Sequence, residues 1–486
     1  MKTCFLGLAV LLIASGVILS DAFRDDDFCR FDSAWFSTIA QDIVKTNNWF
    51  NPHDSAGWRY DEHPPLTFWL SAISIKFLGK SVFSAILPYL LLSIGTCLAA
   101  FAIGTILKND VVGFYSGVGL LLTRYVPRLA RFVTNDVPLM FFVTLAILFL
   151  VLALNRHKSF YLLFGLSAGF AALSKGAPVV LLFVIAVITI IIEKKYADLW
   201  NPYFIGGLIF FAIPPCLWLY FRGGATIAGA YSAFTGYQSF AVRAAKGGGQ
   251  YGDPGSVASF IFKLFEVCWI IMPAAVIGAI VTVRESLTNK TRSGLVLIVW
   301  MLVFIVAYSL ANWRRGVYLL PMYPSLSVLF GIGLYKIMPK KYTFTAVAVI
   351  ASFLIGSFVS PYLFPHWEPK KMSDITFKNT HLPKAAKTVN DFFAQAGPGA
   401  ILAGYDINGA EFYYFFGGDE RKTLFFQNIQ ELKDALDSNN AYLICISKAG
   451  FSRLDNDIRN RLRIVYDFSD KLFVTNVTNA PALWEK

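Results

Sequence analysis

The stretch YDEHPPL at 60–66 sets Asp61, Glu62 and His63 beside two prolines in a chain that is otherwise mostly apolar. Ionisable and aromatic side chains gather in a few other places: Asp32 in FDSAWF, Asp136 in TNDVPL, Lys175 in SKGAP, Arg243 and Lys246, and Arg314, Arg315 and Tyr318 in WRRGVYLLP. Carboxylates facing several cations are the parts of an acid–base and electrostatic site. A carboxylate takes a proton from a hydroxyl or orients it. Fixed cations stabilise negative charge that develops on a leaving oxygen. Whether these residues can meet depends on the elements that carry them.

The chain has 486 residues, 56% of them hydrophobic and 15% charged, with a mean hydropathy of +0.54. A soluble domain carries roughly 25% charged residues, so long apolar runs dominate here and mark a polytopic α-helical membrane protein. Such runs lie at about 4–20, 84–107, 110–128, 138–154, 160–174, 177–192, 203–221, 258–283, 293–311, 318–337 and 343–361, about eleven spans. The first resembles a signal sequence, but DAFRDDD follows it with no small-x-small cleavage site, so it reads as an uncleaved span.

Alternate connectors read KND, RHK, EKKY, RESLTNKTR and KIMPKKY, all rich in Lys and Arg, which places them in the cytoplasm. The outer segments are then 21–83, 129–137, the 174–177 turn, 222–257, 312–317 and everything after 361. All the residues singled out above fall on that one face. The net charge of +12 is spread over the ends of apolar runs, which suits helix orientation and anionic headgroups rather than nucleic acid.

Within 21–83, FDSAWFSTIAQDIVKTNNWF carries Trp35, Phe36, Ile39 and Ile43 at helical spacing and reads as an interfacial helix. LTFWLSAISIKFLG, too short to span, reads as a second one. From 366 onward helical and strand patterns alternate (KAAKTVNDFFAQA, AILAGYD, ELKDALDS, AYLICIS, RNRLRIVYDF, KLFVTN), which predicts a soluble α/β domain over 366–486 serving as a lid or docking unit. The membrane domain is expected over 1–361. Of the six cysteines, Cys97, Cys216 and Cys268 read as apolar fillers in spans and Cys445 as a buried free thiol, with a Cys29–Cys445 pair left open.

Each polar residue also has a plain structural reading. Asp136 can cap a helix ahead of Pro138, and Lys175 and Arg314 can be snorkelling anchors. Arg124, Arg128 and Arg131 can bind headgroups, and Asp25–Asp27 can be a solvated run. The combination of carboxylates and cations from separate loops on one face is what these readings leave unexplained.

Taken in order, the blocks resemble GT-C glycosyltransferases that use polyprenyl-phosphate sugars, on the branch of the lipid A aminoarabinose transferases and bacterial protein O-mannosyltransferase-like enzymes. YDEHPPL matches a Tyr-x-Glu-Lys-Pro-Pro-Leu segment, TNDVPLMFF an acidic motif opening a later span, SKGAP a Thr-Lys-Gly-Pro turn, and WRRGVYLLP a Lys-Arg-x-x-Tyr-Leu-Leu-Pro segment. The likeness covers about residues 5–340.

It implies a GT-C fold in a bacterial inner membrane with the site periplasmic. The implied partners are a polyprenyl-phosphate-linked sugar, membrane lipid, and lipid A, a glycan or a protein as acceptor. Asp32 then resembles the first-loop carboxylate, a general base or acceptor-orienting group. Glu62 matches the site glutamate, which in some relatives helps hold a divalent metal, and Asp136 matches the second acidic position. Tyr60, His63, Lys175, Arg243, Arg315 and Tyr318 stand where relatives contact the lipid phosphate.

The sequence also departs from the pattern. His63 replaces a usual lysine, which would make the local charge depend on pH. FDSAWF lacks the Arg and Tyr of Asp-Glu-x-Arg-Tyr, and 222–257 has no histidine to partner a metal at Glu62. A flippase of lipid-linked sugar and a non-catalytic envelope scaffold remain as alternatives, the first disfavoured by the absence of an internal repeat.

Overall fold

Turn chemistry sets several helix boundaries in the computed structural model. It describes residues 2–22, 31–53, 60, 63–123, 125–232, 256–288, 292–310, 316–338, 389, 392–394, 396, 399–407, 422–426, 428–438, 440–468 and 471–477. The first helices are α1 (Lys2–Ala22), α2 (Phe31–Thr46), α3 (Leu66–Leu78) and α4 (Val82–Leu107). Ser81 and Ser84 close a reciprocal capping box at the start of α4. Asn109 accepts the Val111 and Val112 N–H groups to open α5 (Asp110–Gly119), and α6 (Tyr125–Ala130) follows.

Next come α7 (Asp136–Asn155), α8 (Phe160–Lys175), α9 (Val180–Ile192) and α10 (Pro202–Arg222), the last started by Asn201 and a first-position proline. They are followed by α11 (Val257–Cys268), α12 (Met272–Thr288), α13 (Leu295–Leu310), and a 3-10 turn (Gly316–Met322) leading into α14 (Tyr323–Ile337). Four helical segments are long and apolar enough to cross a membrane alone: Val82–Leu107, Asp136–Asn155, Pro202–Arg222 and Gly316–Ile337. Shorter apolar helices account for the other expected runs through 311. The exceptions are 110–128, broken after Leu122, and 258–283, which is two helices meeting at 103°. The run expected at 343–361 and the boundary near 361–366 lie outside the described residues.

Close backbone approach, not side-chain bulk, joins the helices at several crossings, two of which are the tightest between long helices. A Cβ built on Gly165 of α8 would sit inside the Gly207 carbonyl of α10. One built on Gly333 of α14 would overlap the Ala274 carbonyl of α12. Small residues at such crossings let apolar helices gain contact where no hydrophobic force separates helix from lipid. At the ends away from the polar constellation, Lys108 pairs with Glu285, Lys158 with Asp198, and the Arg292 guanidinium donates to the Ile192 carbonyl at 2.9 Å. These links tie together four of the connectors rich in Lys and Arg.

α2 and α3 form as the pattern predicts, with one difference. Ile39 and Ile43 are fully buried and Phe36 is 7% exposed, so this apolar stripe packs on protein, chiefly α3, instead of lying against headgroups. Hydrophobic periodicity shows which face is apolar but not what covers it.

The C-terminal part holds a five-stranded sheet ordered β2-β1-β3-β5-β4. Its strands are β1 (Ile401–Tyr405), β2 (Lys422–Phe426), β3 (Tyr442–Ser447), β4 (Arg463–Phe468) and β5 (Lys471–Thr475). β1 pairs in parallel with β2 and β3, and β5 runs antiparallel to β3 and β4. α15 (Ile429–Asp437) packs Leu432 and Leu436 into the core on one face of the sheet. Cys445 is buried in β3, as its strand position suggested; Cys97 and Cys268 are buried, and Cys216 is exposed on α10.

Candidate active site

Residues far apart in sequence meet at one cavity of about 120 Å³. Its wall takes Ser33 and Phe36 from α2, His63 from the loop before α3, Phe132 to Asp136 from the approach to α7, Lys175 from the end of α8, and Val317 and Tyr318 from the 3-10 turn. The volume is close to the ~150 Å³ cavity that takes up benzene, so it holds about one six-membered ring.

The local sequence explains how each group is presented. Asp136 is the first residue of α7, and Pro138 just behind it needs no helical N–H partner. Thr134 Oγ1 lies 3.3 Å from both the Asp136 backbone N–H, which it accepts, and Asp136 Oδ2, to which it donates. Lys175 ends α8, where a cation suits the negative end of the helix dipole. Gly176 turns the chain away with φ +73.

The Lys175 ammonium lies 2.5 Å from Asp136 Oδ1 and 4.3 Å from the centre of the Tyr318 ring. Asp136 is 9% exposed, so the pair sits in protein rather than at a headgroup, and the snorkelling reading of Lys175 gives way to an ion pair. Ser33 Oγ accepts the Val133 N–H at 2.9 Å, which ties α2 to the segment leading into Asp136.

His63 differs from its sequence reading. Its ring packs edge-on to Phe36 at 6.1 Å and near Tyr60 at 6.4 Å. Burial, and then the Lys175 charge, push its pKa down to about 4, with Asp136 opposing only in part. His63 is therefore neutral throughout the physiological range, and the pH-dependent charge expected at this position is absent.

The sign follows directly. The unfolded chain binds a proton near 6.5 that the folded chain refuses until about pH 4. The stability from keeping His63 neutral is thus full above 6.5 and is lost as pH falls toward 4. Melting temperature in detergent should drop between pH 7 and 5, and His63→Gln should flatten that drop. A ring titrating near its ordinary value would overturn this.

Tyr60 stands one ring behind the cavity. It packs edge-on to Trp35 at 5.4 Å and Phe68 at 5.1 Å, and its carbonyl accepts from the Arg222 guanidinium at 3.1 Å. Arg222 also reaches the Phe50 carbonyl at 3.4 Å, fastening the first loop to the end of α10. Sequence reasoning missed Arg222, Ser33, Thr134 and Asn135. The TND triplet offered a signal for two of them, but only its acid was read. Asp32 is the second residue of α2, with its side chain outside the described set, and Glu62, Arg243 and Arg315 are wholly outside it. Among the described residues no group of three or more His, Cys, Asp or Glu could hold a metal ion.

The fold carries several helices long and apolar enough to cross a membrane and, among them, a ring-sized charged cavity. Residues 62–219 match the family described as Dolichyl-phosphate-mannose-protein mannosyltransferase. The undecaprenyl phosphate-alpha-4-amino-4-deoxy-L-arabinose arabinosyl transferase of Yersinia enterocolitica is 23% identical over 317 residues, 61% of this chain and 54% of that protein. A second arabinosyl transferase of that description, from Pseudomonas fluorescens, is 25% identical over 310 residues, 62% of this chain and 54% of its own. The chain thus spans about half the length of the curated relatives it matches.

ArnT from Cupriavidus metallidurans, crystallised bound to undecaprenyl phosphate, superposes with a TM-score of 0.72 over 98% of both chains at 13% identity. The Archaeoglobus fulgidus oligosaccharyltransferase superposes at 0.55 over 87% of this chain and 64% of its own, at 10% identity. The chain thus shares its fold with these membrane transferases.

Proposed function

We propose that this protein is a membrane glycosyltransferase that moves a sugar from a polyprenyl phosphate, of the undecaprenyl type, to an envelope acceptor such as lipid A, another glycan or protein. In this reading the site and the C-terminal domain face the periplasm of a bacterial inner membrane. The observation that carries the reading is the Asp136–Lys175–Tyr318 cluster inside a ring-sized cavity.

Transfer breaks the bond between the anomeric carbon and the phosphate oxygen and leaves that oxygen with a full negative charge. Lys175 offers it an ammonium whose position Asp136 fixes, and Arg243 and Arg315 are the further cations proposed for the phosphate. Preorganised charge of this kind favours the transition state, where the negative charge is largest. Asp32, one residue from the Ser33 hydroxyl that joins α2 to the Asp136 segment, is the proposed base for an acceptor hydroxyl. Where the acceptor is an ionised phosphate, Asp32 only orients it. Glu62, Tyr60 and the neutral His63 are the further proposed residues of the first loop, and the lipid tail is proposed to lie outside the cavity between helices.

The test uses purified protein in detergent, a radiolabelled polyprenyl-phosphate sugar and a crude envelope extract. Release of polyprenyl phosphate by the wild type, reduced about 10²-fold or more in Asp32→Asn and Glu62→Gln, is the expected result. Full transfer by both variants would remove these carboxylates from the site. Turnover of no member of a sugar panel would remove the transferase reading itself.

A further inference from the structure

Arg222 is the last residue of α10, where a cation suits the helix dipole or serves as a headgroup anchor. An anchor keeps its charge among headgroups and water, whereas Arg222 is 8% exposed. Its guanidinium lies over the Trp218 ring one turn back, at 5.4 Å. The arms of its fork go to two carbonyls of the first loop: Nη1 donates to Phe50 at 3.4 Å and Nη2 to Tyr60 at 3.1 Å.

The contact is returned. Asn51 Nδ2 donates to the Arg222 carbonyl at 3.3 Å, and the Phe50 ring lies 5.0 Å from that of Phe221. The Tyr60 N–H donates to the Pro52 carbonyl at 3.0 Å, so the chain at 50–52 and at 60 lies together, and the guanidinium bridges the two. Burying a guanidinium is costly, and a planar fork is the side chain suited to holding two acceptors at once.

What the bridge holds stands at the site. Tyr60 packs edge-on to Phe36 at 6.4 Å, and the His63 ring lies near both; Phe36 and His63 are wall residues of the cavity. The Lys175–Asp136 pair is presented separately, by α8 and α7.

We propose that Arg222 is a positioning residue: by closing the neck of the first loop it holds Tyr60 and His63, on either side of the proposed Glu62, in place against the cavity. The inference rests on the transferase reading. Transfer then depends on Arg222, whereas capture of the lipid phosphate by Lys175 does not.

The experiment uses purified full-length wild type, Arg222→Met, Arg222→Lys and a matched control, Arg292→Met, which removes an arginine-to-carbonyl link at the other end of the helices. Arg222→Met should lower kcat about tenfold or more with the polyprenyl-phosphate sugar that the wild type turns over, since a small misplacement in a site costs that much. It should bind sugar-free polyprenyl phosphate within about threefold of wild type, which also shows that it is folded. Deuterium exchange over 49–63 should rise about tenfold, with α8 and α14 unchanged. Arg222→Lys keeps the charge but not the fork, so it should recover part of kcat, and it covers the case in which methionine prevents folding. Arg292→Met should keep the wild-type kcat.

Faster exchange spread over all the helices would mean a general structural role and overturn the proposal. Full recovery by lysine would overturn it by making the charge alone the active feature, and so would an equal loss of kcat in Arg292→Met. A wild type that turns over no member of the sugar panel would overturn the transferase reading and this inference together. Wild-type turnover with unchanged kcat in Arg222→Met would overturn the inference alone.

Discussion

Asp136→Asn is expected to lower sugar transfer by at least about 10²-fold while leaving a protein that can still be purified. The carboxylate is the one charged partner of the Lys175 ammonium among the described residues, at 2.5 Å. Without it that cation loses its position, and the leaving phosphate loses a fixed countercharge. The same change should cost stability, because a partly buried ammonium is left without its anion. Breaking a dry pair costs ~3–5 kcal/mol. Here the side chains keep 18% and 12% of their surface, and hydration from the cavity reduces the cost to about 1–2 kcal/mol.

The double variant Asp136→Asn with Lys175→Met separates the two effects. Removing both charges should restore the melting temperature but not transfer, since a buried pair replaced by uncharged groups of similar size is often neutral for folding. The checks are thermal unfolding in detergent and the radiolabelled transfer assay. Near wild-type transfer by Asp136→Asn would remove the pair from the reaction.

Gly165→Ala is expected to be among the most destabilising single-methyl changes in the chain. The added carbon falls inside the Gly207 carbonyl, so relief requires moving a backbone, not turning a side chain. Overpacking in well-packed cores costs typically 1–3 kcal/mol, and a backbone overlap belongs at or above the upper end, about 3 kcal/mol. Because α8 ends in Lys175, a displaced α8 also shifts the ammonium, and transfer should fall with stability.

A nearby glycine supplies the control. A Cβ on Gly206 meets only the Leu162 Cδ2 atom, at 2.8 Å, the tip of a side chain that can rotate away. Gly206→Ala should therefore melt close to wild type. Melting of Gly165→Ala together with Gly206→Ala would show that the α8–α10 crossing is looser than its geometry.

Much of this architecture was legible because polar connectors and apolar runs alternate, and because each block with chemistry closes or opens a run at the same end. Asp136, Lys175 and Tyr318 lie in separate connectors, yet they meet for that reason. The break at 269–271 was not legible in hydropathy, since Trp269, Ile270 and Ile271 are as apolar as the helices on either side. Pro273, second residue of α12, was the available sign of a new helix start.

β2 was missed because KTLFF shows no alternation and is only five residues long. The neutrality of His63 was beyond reach for a different reason. It depends on how closely Phe36, Tyr60 and Lys175 surround one ring, which composition and spacing do not report.

The hydrogen bond from the Val133 N–H to Ser33 Oγ spans 100 residues of sequence. It splices the start of α2 to the strip of backbone that presents Asp136. A helix in a first loop would ordinarily answer to its own loop, but this one is pinned to the opposite lip of the cavity. Asp32 rides on the pinned end. A tilt of α2 would therefore pull on the backbone that presents Asp136, and the two segments are tied to move together.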